Sequence, residues 1–326
     1  MSLDTAIGLP AKLIQHLRHH ENNANLSYSS PLSPLLGGYD AEIYRFGLAG
    51  VQSSLSSDLV LRLFPSNQSV DKAVYEGAVQ NALVTEGYPA AKVHVVCTDK
   101  SVLGGAFIVM DRLPGMPLLA APAHLQSMLL GETHANLHAI DPAGLIDKLK
   151  TLGMDRFRLE NRLNWLDQRT TDLPVLRELF EWVLSNRPEK SCPISICHGD
   201  FHKLNVLVEN DRVTGVLDWS AFAMCESIYD VAGTWVTFNI LSRRLIERGE
   251  FEPADMDLVL EEYLRGYESK RQLDRTNFDY FCVFRCLSNL TFGMRGVGLW
   301  QQEEVIRDAL KFTSLVTGIP KQIGVH

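Results

Sequence analysis

The 326-residue chain lacks a long apolar run, an excess of positive charge, a paired-cysteine motif and any internal repeat, and each absence excludes a class of function. A membrane-spanning helix needs roughly 20 consecutive apolar residues, and no stretch supplies them. Lys and Arg number 31 against 39 Asp and Glu, a formal net charge of -8. A non-specific nucleic-acid binder is usually basic, so no nucleic-acid partner is expected. None of the six cysteines (Cys97, Cys192, Cys197, Cys225, Cys282 and Cys286) forms a CxxC pair. That scatter fits reduced thiols and a cytoplasmic location better than a disulfide framework. Cys282 and Cys286, four apart on an expected helix, read as buried free thiols, since no His or further Cys nearby completes a metal set. The N-terminal MSLDTAIGLPAK has no basic start followed by an apolar core, so no secretory signal is expected. With 46% hydrophobic and 21% charged residues, the composition is that of an ordinary globular protein of one large or two smaller domains.

The most informative stretch runs from Cys197 to Ser220 and reads CHGDFHKLNVLVENDRVTGVLDWS. His198-Gly199-Asp200 is followed by Asn205, five positions after the aspartate, and then by Asp218 before Trp219. Val206-Leu207-Val208 and Val213 to Leu217 are apolar runs around polar Asn210-Asp211-Arg212, a hairpin signal. A fold about Asp211 and Arg212 would set position 205 opposite 218, an amide oxygen beside a carboxylate, with Asp200 just before the first strand. Hard oxygen ligands of this kind suit Mg²⁺. The bland reading is an Asp/Asn-rich surface hairpin whose polar residues cap turns.

With this spacing, the stretch resembles the catalytic segment of the aminoglycoside phosphotransferase and choline kinase-like families. Those families carry a His-Gly-Asp or His-Asn-Asp loop, an Asn five residues on, and a hairpin ending in Asp-Trp. The resemblance extends from about Leu35 to Ala232. It implies an α+β, two-lobed protein kinase-like fold, with a nucleotide-binding lobe over residues 1–112 and a mainly helical catalytic and substrate-binding lobe over 113–326. ATP would lie between the lobes. Phosphoryl transfer needs a carboxylate that orients the attacking hydroxyl and two ligands for the metal that bridges the phosphates. The resemblance assigns these roles to Asp200 as the catalytic base and to Asn205 and Asp218 as Mg²⁺ ligands, with His198 supporting the loop. Lys203 departs from the pattern, because proline is common after the second His of HGDFH. That departure bears on acceptor positioning more than on metal binding.

Upstream, residues 9–20 have helical spacing, Asn22 to Pro34 reads as a Ser/Pro/Asn-rich connector, and Leu35 to Phe46 reads as a strand, a Gly37-Gly38 turn and a second strand. Asp58 to Phe64, a helix over 70–86, and strands over Lys92–Thr98 and Ala106–Asp111 complete a β-β-β-α-β-β order. Gly37-Gly38 can let backbone approach nucleotide phosphates or can form an ordinary hairpin turn; it lacks the full GxGxxG. Arg62 stands where a kinase carries a phosphate-pairing lysine, and Glu76 sits on the following helix as its ion-pair partner. The alternative for Arg62 is a solvent-facing charge between inward Leu61 and Leu63. Phe107 to Gly115 resembles the hinge that contacts adenine, through Asp111 and Leu113, with Met110 guarding the pocket.

Further along, residues 121–139 are an expected helix in which His134 and His138 lie four apart. A packed histidine contacting the catalytic loop is preferred there over a zinc site, because HANLH lacks the glutamate of zinc hydrolases. Asp230 is implied to be a structural aspartate tying the metal loop to the helix behind it. The acidic run Glu250 to Glu262 could attract a cationic acceptor, though a solvated helix start is the preferred reading. A core-facing stripe of Phe278, Phe281, Phe284, Leu287 and Leu290 closes the chain.

The expected function is therefore ATP- and Mg²⁺-dependent transfer of the γ-phosphoryl group to a hydroxyl of a small molecule, by a monomer or homodimer with no membrane partner. Aminoglycoside, macrolide, choline- or ethanolamine-like, homoserine and sugar-amine acceptors all remain open, because fold does not fix substrate. A nucleotide-binding protein without catalysis and a His-based metal hydrolase are the other classes.

Overall fold

The computed structural model describes residues 8–35, 41–51, 55–154, 159–189 and 193–320. Gly37, Gly38 and Cys192 lie outside these described residues. The chain divides into two compact units: Met1–Gly115 with Thr214–Ser220, and Met116–Val213 with Ala221–His326. No helix among the described residues is long and apolar enough to cross a membrane.

The first unit is built on an antiparallel sheet of β1 (Ser27–Pro34), β2 (Glu42–Ala49), β3 (Asp58–Leu63), β4 (Val93–Cys97) and β5 (Phe107–Asp111), in the order β1-β2-β3-β5-β4. The expected connector over 22–34 is thus a strand in its second half. Its prolines are tolerated because β1 is an edge strand with register shifts around Ser30. Both sheet faces are covered, which fixes the meaning of DLVLRL in β3. Leu59, Leu61 and Leu63 share a core with Leu13 and Leu17 of α1 (Leu9–His20) and with Phe46, Phe107 and Val109. The other face carries Phe64, Ile108 and Ala73 of α2 (Asp71–Thr85). Strand alternation places Arg62 on this second face. It is 4% exposed, so the solvent-facing reading of Arg62 fails because α2 covers that side. The short α3 (Lys100–Leu103), capped by Asp99, links β4 to β5.

In the second unit, β6 (Met116–Pro117) leads through a 3-10 turn into α4 (Ala123–His138), followed by α5 (Ala143–Thr151), α6 (Leu159–Thr170) and α7 (Pro174–Ser185). Next come β7 (Ile194–Cys197), β8 (Val206–Glu209), β9 (Arg212–Val216) and β10 (Ala223–Glu226); β10 pairs antiparallel with β7, and β6 with β8. The last three residues of β9 belong to the first unit. The helices α8 (Ser227–Val236), α9 (Arg243–Glu247), α10 (Met256–Glu268), α11 (Phe278–Gly293) and α12 (Glu303–Thr317) complete the unit, with a π-helical stretch at Thr237–Ser242 between α8 and α9. Helices α4 and α10 meet at two glycines. A Cβ on Gly131 would lie 2.1 Å from the Tyr263 carbonyl oxygen, and one on Gly266 would lie 2.4 Å from that of Met128. Of the stripe on α11, Phe281, Phe284, Leu287 and Leu290 are buried and Phe278 is half-buried.

Candidate active site

The His198–Asn205 loop follows β7 and is held from beneath. Gly199 has φ +84°, and a Cβ there would meet the Ala221 carbonyl oxygen at 2.0 Å, so only glycine fits. Asp230 on α8 takes the His198 N–H at 2.5 Å and the Gly199 N–H at 2.8 Å. Its Oδ2 also lies 2.9 Å from His134 Nε2, off the ideal hydrogen-bond line, and 3.3 Å from His138 Nε2. The far ring nitrogens face tyrosines on α10: His134 Nδ1 is 2.7 Å from the Tyr263 hydroxyl and His138 Nδ1 is 2.8 Å from that of Tyr267. The i,i+4 pair on α4 thus meets an i,i+4 pair on α10, and the glycines bring those faces together. Burial drives His134 down to about 4 and lowers His138, so both stay neutral. Asp230 resists burial because the two histidines hold its carboxyl well below the usual range.

His134, His138 and Asp230 form a buried three-residue group of metal-ligating type. Their surroundings are already occupied: tyrosine hydroxyls lie against both Nδ1 atoms, and the Asp230 carboxylate accepts two backbone N–H groups and faces both Nε2 atoms. The His134 ring also stacks on Phe201 at 4.0 Å. These are the packed histidines expected from HANLH. Asp230 is thus a structural carboxylate that ties the backbone of the His198–Asn205 loop to α8.

A second anchor, Arg285, was missed as a functional residue because it sits inside the apolar stripe of α11. The available signal was a lone cation in an otherwise apolar helix. Its Nη2 donates to the Gly199 carbonyl oxygen at 2.5 Å and its Nη1 to the Tyr229 hydroxyl at 2.8 Å. Gly233 leaves room for it, since a Cβ there would lie 2.7 Å from the Arg285 Nε. Burial opposes its charge, but Tyr229, Asp230 and Asp200 more than restore it.

Asp200 therefore sits on a fixed loop. Protein atoms crowd it, yet half of its side-chain surface remains open, and that open surface is what an incoming group would meet. Burial raises its pKa, but His202 at 3.4 Å, His198 and Arg285 outweigh burial and leave it lowered. Asn205 Nδ2 donates to the Asp200 carbonyl oxygen at 3.0 Å, which fixes the amide's orientation. Lys203 donates to Gln126 Oε1 at 3.1 Å and lies over the Phe238 ring; burial draws it down to about 8 against the pull of Glu262. His202, Lys203 and Leu204 also line a cavity of about 750 Å³ within this unit.

In the turn after β8, Asn210 and Asp211 have φ 51° and 59° and directly join Glu209 to Arg212. Two consecutive left-handed residues make the type I′ geometry that suits a hairpin's twist. The fold axis therefore lies between Asn210 and Asp211, one residue earlier than expected.

In the first unit, Arg62 Nε is 3.3 Å from Glu76 Oε2 and Arg62 Nη2 is 3.3 Å from Asp218 Oδ1. The expected Arg62–Glu76 pair is present, and Asp218 joins it. Asp218 has φ +60°, an uncommon conformation for a residue other than glycine, and its side chain is 38% exposed. Its neighbours hold it there: Trp219 is fully buried, donates to the Val216 carbonyl oxygen at 3.1 Å and meets Tyr88 edge-on, while the Val216 N–H donates to the Pro89 carbonyl oxygen. Along the expected hinge, Met110, Asp111 and Leu113 are all half-buried. The Asp111 side chain is occupied by His94 Nε2 at 2.6 Å, and the Asp111 N–H by the Lys92 carbonyl oxygen.

Comparison with known proteins adds three findings. A model of the phosphotransferase enzyme family matches residues 31–277. Among curated relatives, the chain is 30% identical over 236 residues to acyl-CoA dehydrogenase family member 11 of Gallus gallus and 29% identical over 186 residues to that of Homo sapiens. These matches cover 66% and 52% of this chain but only 30% and 23% of the relatives, so the chain corresponds to under a third of their length. Among solved structures, a putative aminoglycoside phosphotransferase from Ralstonia eutropha JMP134 matches with TM-score 0.63 at 16% identity over 94% of this chain and 96% of that one. Aminoglycoside phosphotransferase APH(4)-Ia, solved with AMP-PNP and hygromycin B, matches with TM-score 0.60 at 15% identity over 96% and 99%. The fold is the α+β, protein kinase-like one.

Proposed function

The chain belongs to the phosphotransferase enzyme family, and on that premise we propose that it transfers the γ-phosphoryl group of ATP to a hydroxyl of a small molecule. The observation that carries this reading is Asp200: an ionised, half-open carboxylate on a loop anchored by Asp230 and Arg285. A positioned base of this kind orients the acceptor hydroxyl and takes its proton as the oxygen attacks the γ-phosphorus and the bond to the departing ADP oxygen breaks.

Arg62 is the phosphate-pairing cation in this reading. Its guanidinium is aligned by buried Glu76, and a fork of donors suits phosphate oxygens. Asn205 and Asp218 are the Mg²⁺ ligands: an amide oxygen and a carboxylate form the hard-oxygen donor set that this ion prefers. The left-handed backbone at Asp218 is the sort of local strain that persists where a side chain must be aimed. When bound, Mg²⁺ neutralises phosphate charge; every other role above belongs to protein side chains. Met110, Asp111 and Leu113 are assigned to the nucleotide, the last two through backbone groups, since the Asp111 side chain is already held by His94.

The test is ADP release from Mg·ATP across a panel of hydroxyl compounds, run beside Asp200→Asn. Removing a positioned acid-base group costs about 10²–10⁴-fold, so the variant should lose nearly all acceptor-stimulated turnover. Turnover within tenfold of the parent would sink the assignment.

A further inference from the structure

Strands β7 and β10 pair antiparallel, with Ala223 opposite Cys197 on the last rung before the His198 loop. One more step in that register would set Phe222 against His198 and Ala221 against Gly199, and there the ladder stops. Gly199 turns the chain with φ +84°, and a Cβ on it would lie 2.0 Å from the Ala221 carbonyl oxygen. Gly199 and Phe222 are buried, so the backbone groups that a longer ladder would have paired need other partners. On the β7 side, Asp230 takes the His198 and Gly199 N–H groups, and Arg285 donates to the Gly199 carbonyl oxygen. On the β10 side, Arg162 of α6 serves both open carbonyls. Its Nη2 donates to the Ala221 oxygen and, at 2.9 Å, to the Phe222 oxygen.

Arg162 is half-buried, and among the described residues it forms no ion pair, so these two carbonyls are where its charge is directed. A charged donor makes a stronger hydrogen bond than a neutral one, which suits an oxygen that has lost its ladder partner. The contact also settles a competition. The Ala221 carbonyl packs against Gly199, whose N–H would be a donor for it if the ladder ran one rung further. With that oxygen held by Arg162, the N–H is left to Asp230. Gly199 then keeps the left-handed turn that directly precedes Asp200.

We propose that Arg162 is a positioning residue for phosphoryl transfer: by capping the Ala221 and Phe222 carbonyls it ends the β7–β10 ladder at the right rung and keeps the Asp200 carboxylate in place. The effect on turnover rests on the kinase reading above; the effect on the loop does not.

The test compares Arg162→Met, Arg162→Lys and Arg169→Met with the parent, all in the full chain. Arg169 lies further along α6, packed between the Trp165 and Phe292 rings at 5.0 and 4.9 Å, and serves as the packing control. One readout is amide hydrogen exchange over residues 197–205. The other is kcat and the KM for ATP, with the panel compound that best stimulates ADP release. Arg162→Met should speed exchange of the loop about tenfold, the effect of one lost charge-assisted contact. For a displacement of about 1 Å it should also lower kcat roughly 10- to 100-fold, with the KM for ATP changed less than about threefold. Because one nitrogen serves both carbonyls, Arg162→Lys should recover most of the exchange protection and most of the turnover. Arg169→Met should leave both readouts near the parent values. If Arg162→Met fails to fold, Arg162→Gln, which keeps a neutral donor, carries the test with the same directions. Loop exchange and kcat within about twofold of the parent in Arg162→Met, while Asp200→Asn abolishes turnover, would overturn the proposal and leave the kinase reading standing. Equal losses in Arg162→Met and Arg169→Met also overturn it, since packing alone would account for both. Faster loop exchange in Arg162→Met, beside ADP release that Asp200→Asn does not reduce, would refute the kinase reading and leave the hold of Arg162 on the loop standing.

Discussion

Asp230→Asn tests the anchoring of the Asp200 loop. The substitution keeps shape and removes a buried charge together with one acceptor atom. Oδ2 serves the His198 N–H at 2.5 Å, His134 at 2.9 Å and His138 at 3.3 Å, while Oδ1 serves the Gly199 N–H at 2.8 Å. An asparagine oxygen in the Oδ2 place turns its amide NH₂ toward the Gly199 N–H and leaves that donor without an acceptor, which costs about 1–3 kcal/mol. The remaining contacts drop from charged to neutral strength, a loss of roughly 1 kcal/mol each. Relief of the desolvated carboxylate offsets part of this. The net expectation is a loss of about 3–5 kcal/mol, the range for breaking a buried ionic network by removing one partner. Urea unfolding at neutral pH reads it as a lower midpoint at constant slope. Because Gly199 directly precedes Asp200, turnover should also fall about 100-fold even where the variant is fully folded, as for a displacement of about 1 Å in a catalytic group. A loss below about 1 kcal/mol with turnover intact would refute the claim that Asp230 positions the loop.

Two further predictions follow from backbone and charge. Gly199→Ala meets both positive φ and the Ala221 carbonyl oxygen at 2.0 Å, whereas Gly153→Ala meets positive φ alone, with nothing within 4 Å. The second should cost about 1–2 kcal/mol, the first distinctly more together with turnover; equal costs by denaturant titration would remove the steric argument. Acid should also destabilise the protein. His134 has a folded pKa of about 4 against 6.5 unfolded, so above 6.5 both states are neutral and nothing is lost. Between 6.5 and 4 the unfolded state takes up the proton first, and stability falls by ~1.4 kcal/mol per pH unit, about 3 kcal/mol in all, with His138 adding in the same direction. An unfolding free energy unchanged from pH 7 to pH 4.5 contradicts neutral buried histidines.

The residues proposed to carry the chemistry come from stretches whose order is set by local rules. Asp200 and Asn205 share one short loop, the turn signal lay between two apolar runs, and Trp219 marked where the chain is pinned after Asp218. The Arg62–Glu76 pair was legible through strand-then-helix order. Local reading failed where the answer depended on what covers a surface. Arg62 alternates with leucines, and only the docking of α2 on the second face of the sheet decides that it is buried. The edge strand Ser27–Pro34 carries two prolines and is defined by pairing with β2, not by its own propensity. The hairpin register turned on a single residue, because consecutive left-handed residues at Asn210 and Asp211 fix the axis that composition alone left one position off. Arg285, Tyr263 and Tyr267 join the site across long stretches of chain, through helix packing permitted by Gly131, Gly266 and Gly233. The sequence by itself determined which carboxylates, amides and cations the loop and strands can offer, since side-chain chemistry and short-range spacing are local properties. Only the tertiary structure decided how the loop is held and what kind of cavity opens beside it, since burial and partner choice belong to surfaces that meet only after folding.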